Sequence, residues 1–129
     1  MKKTMKRGLS LMFVLSLLVS MLAIPAKATN GSKSATVAPS QSTKYVYIYS
    51  DKSFLGLKKT TVTVTNTSSD CTVGLYKNMG NAGYAYAGDL WPGRSMSFSA
   101  KANGTTYSFK LQRAGSGSAT VQFSITNGY

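Results

Sequence analysis

Apolar and polar side chains alternate one for one through most of the chain beyond Lys44, and the clearest stretch is 103–129. There Tyr107, Phe109 and Leu111 alternate with Thr106, Ser108, Lys110 and Gln112. After Arg113-Ala-Gly-Ser-Gly the pattern resumes, with Ala119, Val121, Phe123 and Ile125 set against Ser118, Thr120, Gln122 and Ser124. Successive side chains of a strand point to opposite faces, so each run predicts a strand that buries an apolar row and shows a hydroxyl row to water. The glycines between them permit the positive φ of a tight return, and the two runs are expected to form a β-hairpin.

The same reading extends upstream. Val62 and Val64 alternate with Thr61, Thr63 and Thr65; Cys71, Val73 and Leu75 alternate with Thr72, Gly74 and Tyr76; Met96 and Phe98 alternate with Ser95, Ser97 and Ser99. Gly74 inside a strand predicts a bulge or a close backbone approach. In 44–49 the two faces are Tyr45, Tyr47, Tyr49 and Val46, Ile48, so this strand is either buried on both sides or displays a row of tyrosines. Phe54, Leu55 and Leu57 around Gly56 predict a short plug over one end of the core. Lys77 to Gly83 is expected to be the longest mobile connection, and Asn103-Gly104 to close another hairpin through a type I′ turn. The candidate strands fall near 44–49, 60–66, 71–76, 84–88, 94–100, 105–112 and 118–126, with no helical period between them. Short strands at close spacing predict an all-β protein, a single antiparallel β-sandwich of about seven strands.

The alternation begins late. Lys2, Lys3, Lys6 and Arg7 form a basic head, Leu9 to Ile24 is an apolar run broken only by serines, and Ala26-Lys27-Ala28 carries small residues at the cleavage position. This is the pattern of a secretory signal peptide over 1–28. A permanent anchor is the competing reading, but a span needs about 20 apolar residues. Residues 29–42 are rich in Ser, Thr, Ala and Gly without an apolar period and predict a flexible tail, leaving 43–129 as the sandwich domain.

Removing the leader changes the charge picture. The full chain has 15 basic and 3 acidic residues. Five basic residues leave with the leader, so ten remain against Asp51, Asp70 and Asp89, a net charge of +7. Dispersed lysines and arginines favour anionic partners and also serve solubility. Cys71 is the single cysteine, so no internal disulfide is possible. Its phase with Val73 and Leu75 predicts a buried, apolar role; an intermolecular disulfide or a reactive thiol is the alternative.

The absence of histidine and glutamate removes Ser-His-Asp, Cys-His and histidine-ligated zinc chemistry. The three aspartates sit in turn sequences, so neither a carboxylate pair nor a calcium loop is expected, and the protein is read as non-catalytic, with no metal and no cofactor. Aromatics carry the better signal. Tyr76, Tyr84, Tyr86 and Trp91 cluster around a glycine-rich loop together with Lys77 and Arg94. These six are the candidate ligand-binding residues, since flat rings with a polar handle stack on sugar faces and cations meet anionic groups. Core-capping tyrosines are the plainer explanation.

The segments Trp91-Pro-Gly-Arg-Ser-Met-Ser-Phe and Asn103-Gly-Thr-Thr-Tyr-Ser-Phe resemble the accessory β-sandwiches appended to secreted bacterial hydrolases, a resemblance of architecture that does not carry function. The expectation is a secreted, monomeric binding protein for cell-wall or extracellular polysaccharide or another anionic polymer, without a specific nucleic-acid partner and with no transmembrane segment after cleavage. A cationic antibacterial or membrane-active effector is the alternative, and a self-associating matrix protein the third reading.

Cleavage after Ala28 is expected on export. Intact mass of the protein in culture medium should correspond to a chain beginning at Thr29, and a secreted species that retains 1–28 would overturn this.

Overall fold

The computed structural model of the protein describes residues 29–80 and 82–129. The expected signal peptide, 1–28, lies outside the described residues. Eight strands are present: β1 (Asn30–Val37), β2 (Thr43–Tyr49), β3 (Lys59–Asn66), β4 (Thr72–Asn78), β5 (Ala85–Leu90), β6 (Ser95–Lys101), β7 (Thr106–Ala114) and β8 (Ala119–Thr126). They form two antiparallel four-stranded sheets, ordered β1-β8-β3-β6 and β2-β7-β4-β5. Four pairings are nested about the β4–β5 hairpin, β4 with β5, β3 with β6, β2 with β7 and β1 with β8. The chain thus behaves as one long ribbon folded at that hairpin. Rolling the ribbon adds β3 to β8 and β4 to β7, which is the strand order of a jelly roll. Among the described residues no helix is long and apolar enough to cross a membrane.

The sandwich class holds, but two expected hairpins do not form. β7 and β8 lie in opposite sheets, as do β6 and β7. Alternation tells which side of a strand is buried, and two strands that bury one row each satisfy it equally well side by side or face to face. The β7–β8 connection arches over Asp70 and Cys71 instead of turning tightly, and a Cβ at Gly117 would stand 3.2 Å from the Asp70 carboxylate. Asn103 likewise makes an Asx turn, accepting the Thr105 N–H at 3.2 Å, at a crossing between sheets.

Residues 30–37, expected as flexible tail, are the edge strand β1. Ala35 and Val37 point inward, with Lys33 in the same phase. The alternation was hidden because the inward row is small or carries an amine. Lys33 Nζ donates to the Tyr47 carbonyl and lies 4.9 Å from the Tyr49 ring centroid, while Lys44 Nζ donates to the Thr36 carbonyl at 3.2 Å. Two lysines therefore cross the open side between β1 and β2, their stems covering apolar surface.

Inside, the predicted rows meet. Val62, Val64, Val73, Leu75, Phe109, Leu111, Val121, Phe123 and Ile125 form one core with Ile48 and Leu90. Cys71 is a free, buried thiol within it. Phe109 lies between Phe98 and Phe123 at ring distances of 5.8 and 5.5 Å, with tilted planes of the kind aromatic quadrupoles favour. The Phe54–Leu57 plug is absent from this core. A single 3₁₀ turn at Phe54–Gly56 leaves those side chains in solvent, because that end is already closed by buried Ala102 and by Tyr107, whose hydroxyl donates to the Lys101 carbonyl at 2.5 Å. On the outside of the first sheet the hydroxyl rows pair as Thr61–Ser99, Thr63–Ser97 and Thr65–Ser95 at 2.9, 2.8 and 2.7 Å.

At the other end Asn66, on β3, is fully buried and reaches the opposite sheet. Its Nδ2 donates to the carbonyls of Cys71 and Leu90, each at 2.7 Å, and its Oδ1 accepts the Ser68 N–H at 2.9 Å. Its main chain binds the β5–β6 turn, with Asn66 N–H to the Arg94 carbonyl at 3.0 Å and Gly93 N–H to the Asn66 carbonyl at 2.8 Å. Replacing Asn66 by Ala strands two carbonyls and opens a void, which should cost about 2–4 kcal/mol. Urea unfolding measures it; a variant within 0.5 kcal/mol of the parent, well under the roughly 1–3 kcal/mol usual for one orphaned group, would show that the side chain is not a clasp.

A tyrosine face as candidate functional site

The outer face of the second sheet is where exposed aromatics converge. Register alone makes one rung across all four strands: Tyr45 of β2 opposes Lys110 of β7, Lys110 opposes Tyr76 of β4, and Tyr76 opposes Tyr86 of β5. Tyr47 stands two residues along on the same face of β2, beside Ser108. Of the two readings open for 44–49, the tyrosine row at the surface is the one realised: Val46 and Ile48 are buried and Tyr45, Tyr47 and Tyr49 are exposed.

A register shift places Tyr86 in this rung. Leu75 opposes Gly88, so an unbroken ladder would set Tyr76 against Ala87 and turn Tyr86 toward the core. The irregularity between Leu75 and Tyr76 drops one residue, and Tyr86 comes outward opposite Tyr76. Gly88 makes this possible with φ +144°, where a Cβ would approach Met96 Cε to 2.6 Å. The expected bulge at Gly74 thus falls one residue later, with its permissive glycine on the partner strand.

The rings are in contact. Tyr76 and Tyr86 lie 5.3 Å apart, and Lys110 Nζ sits 4.4 Å from the Tyr76 centroid. Tyr84, just ahead of β5, reaches back over the sheet to Tyr45 on the far edge strand, at a ring distance of 5.5 Å. Tyr76, Tyr84 and Tyr86 therefore belong to one surface, as their proximity in sequence suggested. Trp91 and Arg94 form a second unit at the β5–β6 turn, the guanidinium 4.0 Å from the indole centroid while its Nη1 donates to the Asp89 carbonyl at 2.8 Å. Lys77 is not on this face: it has the opposite phase to Tyr76, and its Nζ lies 5.1 Å from the ring of Phe98 on β6 of the other sheet. Tyr45, Tyr47 and Lys110 join the surface instead. They are distant in sequence, and only the pairing of β2, β7 and β4 brings them together.

Chemically this face offers flat π surfaces about one strand spacing apart, phenol hydroxyls that donate and accept, and one ammonium at its centre. Asp89 accepts a hydrogen bond from the Tyr86 hydroxyl, which holds the phenol proton and raises its pKa above the usual value; burial and the negative charge of Asp89 act in the same direction, and Arg94 opposes them.

No family model matches the chain, and no curated protein matches it. Among solved structures there is a likeness to a mitogen from Yersinia pseudotuberculosis, at 15% identity and a TM-score of 0.45, covering 76% of this chain and 85% of that one.

Because the hydrogen bond to Asp89 stabilises the protonated phenol, Tyr86 should ionise above the ordinary tyrosine range near pH 10, and its stabilising effect should be present below that pH and fade as pH rises through the raised value. Spectrophotometric titration of Asp89→Asn against the parent checks this: one phenol should move to lower pH, and superimposable curves would rule the interaction out.

Proposed function

We infer that the protein is a secreted, non-catalytic binding protein whose tyrosine face engages polysaccharide or anionic polymer of the cell wall. The observation that carries this reading is the rung Tyr45–Lys110–Tyr76–Tyr86, two exposed rings and the half-buried Tyr76 with a cation among them on a continuous, rigid sheet. Burying aromatic surface is favourable, so leaving so many rings in water calls for a partner. Sheet residues lose little further freedom on binding, which suits recognition of a long, flat ligand. Lys110, Arg94 and the mature net charge of +7 supply attraction to an anionic chain. Self-association through the β2 edge is disfavoured by Lys33, which occupies the Tyr47 carbonyl there.

Binding to purified anionic wall polymer should weaken as salt rises, since exposed charges are screened beyond about 10 Å at 0.1 M, with a salt-resistant part left from ring stacking. Tyr86→Ala should remove about 1–2 kcal/mol of that salt-resistant part, five- to thirtyfold in Kd, measured at a temperature where the variant, which also loses its contacts to Tyr76 and Asp89, remains folded. Lys110→Met should flatten the salt dependence instead. A Tyr76→Ala/Tyr86→Ala double variant that melts like the parent and binds equally well at every salt concentration would rule out the face as the site.

A further inference from the structure

The turn between β2 and β3 presents the most exposed large apolar side chains among the described residues: Phe54 is 67% exposed, Leu55 79% and Leu57 73%. It is not a loose loop. Gly56 N–H donates to the Ser53 carbonyl at 3.2 Å and Leu57 N–H to the Phe54 carbonyl at 3.1 Å, closing the 3₁₀ turn. Ser53 Oγ donates to the Ala102 carbonyl at 2.6 Å and accepts the Lys58 N–H at 3.2 Å, so the turn is anchored to the β6–β7 crossing. At its apex Leu55 holds φ +53°, a conformation that costs a non-glycine residue free energy. A branched apolar residue in a strained backbone, fixed in water by a hydrogen-bonded base, is an arrangement that folding alone does not favour.

Lysines surround the tip. Lys52 and Lys58 flank it in the chain, and Lys59 and Lys101 stand directly opposite each other where β3 and β6 begin and end. The stem of Lys101 lies beneath Gly56, its Cδ 3.6 Å from where a Cβ would sit. Like charges opposed across a ladder are destabilising, so this pair is a second local cost at the same end of the sandwich. Asp51 is the one acidic residue in 50–59, against three lysines there.

Apolar residues at a tip with amines around its base match one surface, the interface of an anionic bilayer, where acyl chains accept the rings and branched chains and the headgroup phosphates meet the ammonium groups. We propose that Phe54, Leu55 and Leu57 insert into anionic lipid while Lys52, Lys58, Lys59 and Lys101 contact the headgroups. The site is separate from the tyrosine face: the rung Tyr45–Lys110–Tyr76–Tyr86 crosses the outer face of the second sheet, whereas this turn joins β2 to β3 at the end of the sandwich where β3 begins at Lys59. Docked this way the protein would hold the outer face of its second sheet roughly along the membrane normal, free to meet a polymer.

The test is flotation of the mature protein with vesicles of phosphatidylglycerol and phosphatidylcholine, or phosphatidylcholine alone. Binding is expected to the anionic vesicles and to be at least tenfold weaker to the neutral ones. Phe54→Ser/Leu55→Ser keeps every charge and should weaken binding to anionic vesicles by about tenfold or more. Lys52→Gln/Lys101→Gln keeps the apolar tip and should also weaken it by about tenfold. In a Trp91→Phe background, Phe54→Trp emission should shift to the blue on adding anionic vesicles. All these variants are at solvent-exposed positions and should fold, with Lys52→Gln/Lys101→Gln melting at or slightly above the parent because it relieves the Lys59–Lys101 opposition. The proposal is overturned if the parent ignores anionic vesicles, if the serine variant binds them as the parent does, or if sedimentation without lipid shows a dimer that the serine variant abolishes, which would make a second copy the occupant. Retained binding of Tyr76→Ala/Tyr86→Ala to vesicles, with loss of wall-polymer binding, keeps the two sites apart.

Discussion

With a single cysteine and no disulfide, the two sheets are joined at one end by the amide of Asn66. Apolar contact fills the middle of the sandwich but has no direction, and a buried amide that satisfies carbonyls on the opposite sheet fixes how the sheets sit relative to each other. The same residue binds the β5–β6 turn through its main chain, and that turn carries Arg94, whose guanidinium lies on Trp91 and donates to the Asp89 carbonyl. Asp89 stands on β5, the strand that also carries Tyr86. A polar residue in the core is thus the first link in a chain of contacts that ends at Asp89 and Trp91, on and beside the strand that carries Tyr86.

Surface chemistry is sorted by sheet. The first sheet shows Ser and Thr, cross-paired through their hydroxyls, and has no charged residue in the rungs of β3, β6 and β8 at Thr61, Thr63 and Thr65. The second shows tyrosines around Lys110. Lysines take one open side and one end, with Lys33 and Lys44 across the edge strands β1 and β2 and four more around the Phe54–Leu57 tip, while Lys77 on the inner strand β4 lies over Phe98 of the other sheet. Positive charge therefore does not form one basic patch. It covers unprotected strand edges, where lysine also discourages edge-to-edge pairing, and it surrounds the exposed apolar turn.

The proposed polymer site on a sheet face and the proposed lipid site at an end turn are compatible on one rigid body because a jelly roll separates its sheet faces from its end loops. Changing residues at a loop end leaves the outward row of a strand untouched, so the two surfaces answer to different side chains. The proposals stand on the same constraint, that apolar or aromatic side chains left in water by a well-packed fold need an occupant.

The period-two pattern by itself determined that the chain is a β-sandwich, which rows are buried and that Cys71 is among them, because burial of one strand face is a local demand that each residue either meets or fails. It also placed Tyr76, Tyr84 and Tyr86 near one another. Partner choice was decided only in three dimensions: β7 and β8 share no ladder, 30–37 become an edge strand although its inward row includes Lys33, and Phe54 to Leu57 stay outside because Ala102 and Tyr107 already close that end. The same holds for the site. Tyr45 and Lys110 enter it through pairings between strands far apart in sequence, Lys77 leaves it through its phase, and Tyr86 faces outward only because Gly88 lets the ladder skip a residue. Those outcomes depend on which strand lies beside which, and no residue's own preference encodes that, since the free energy belongs to the packed pair.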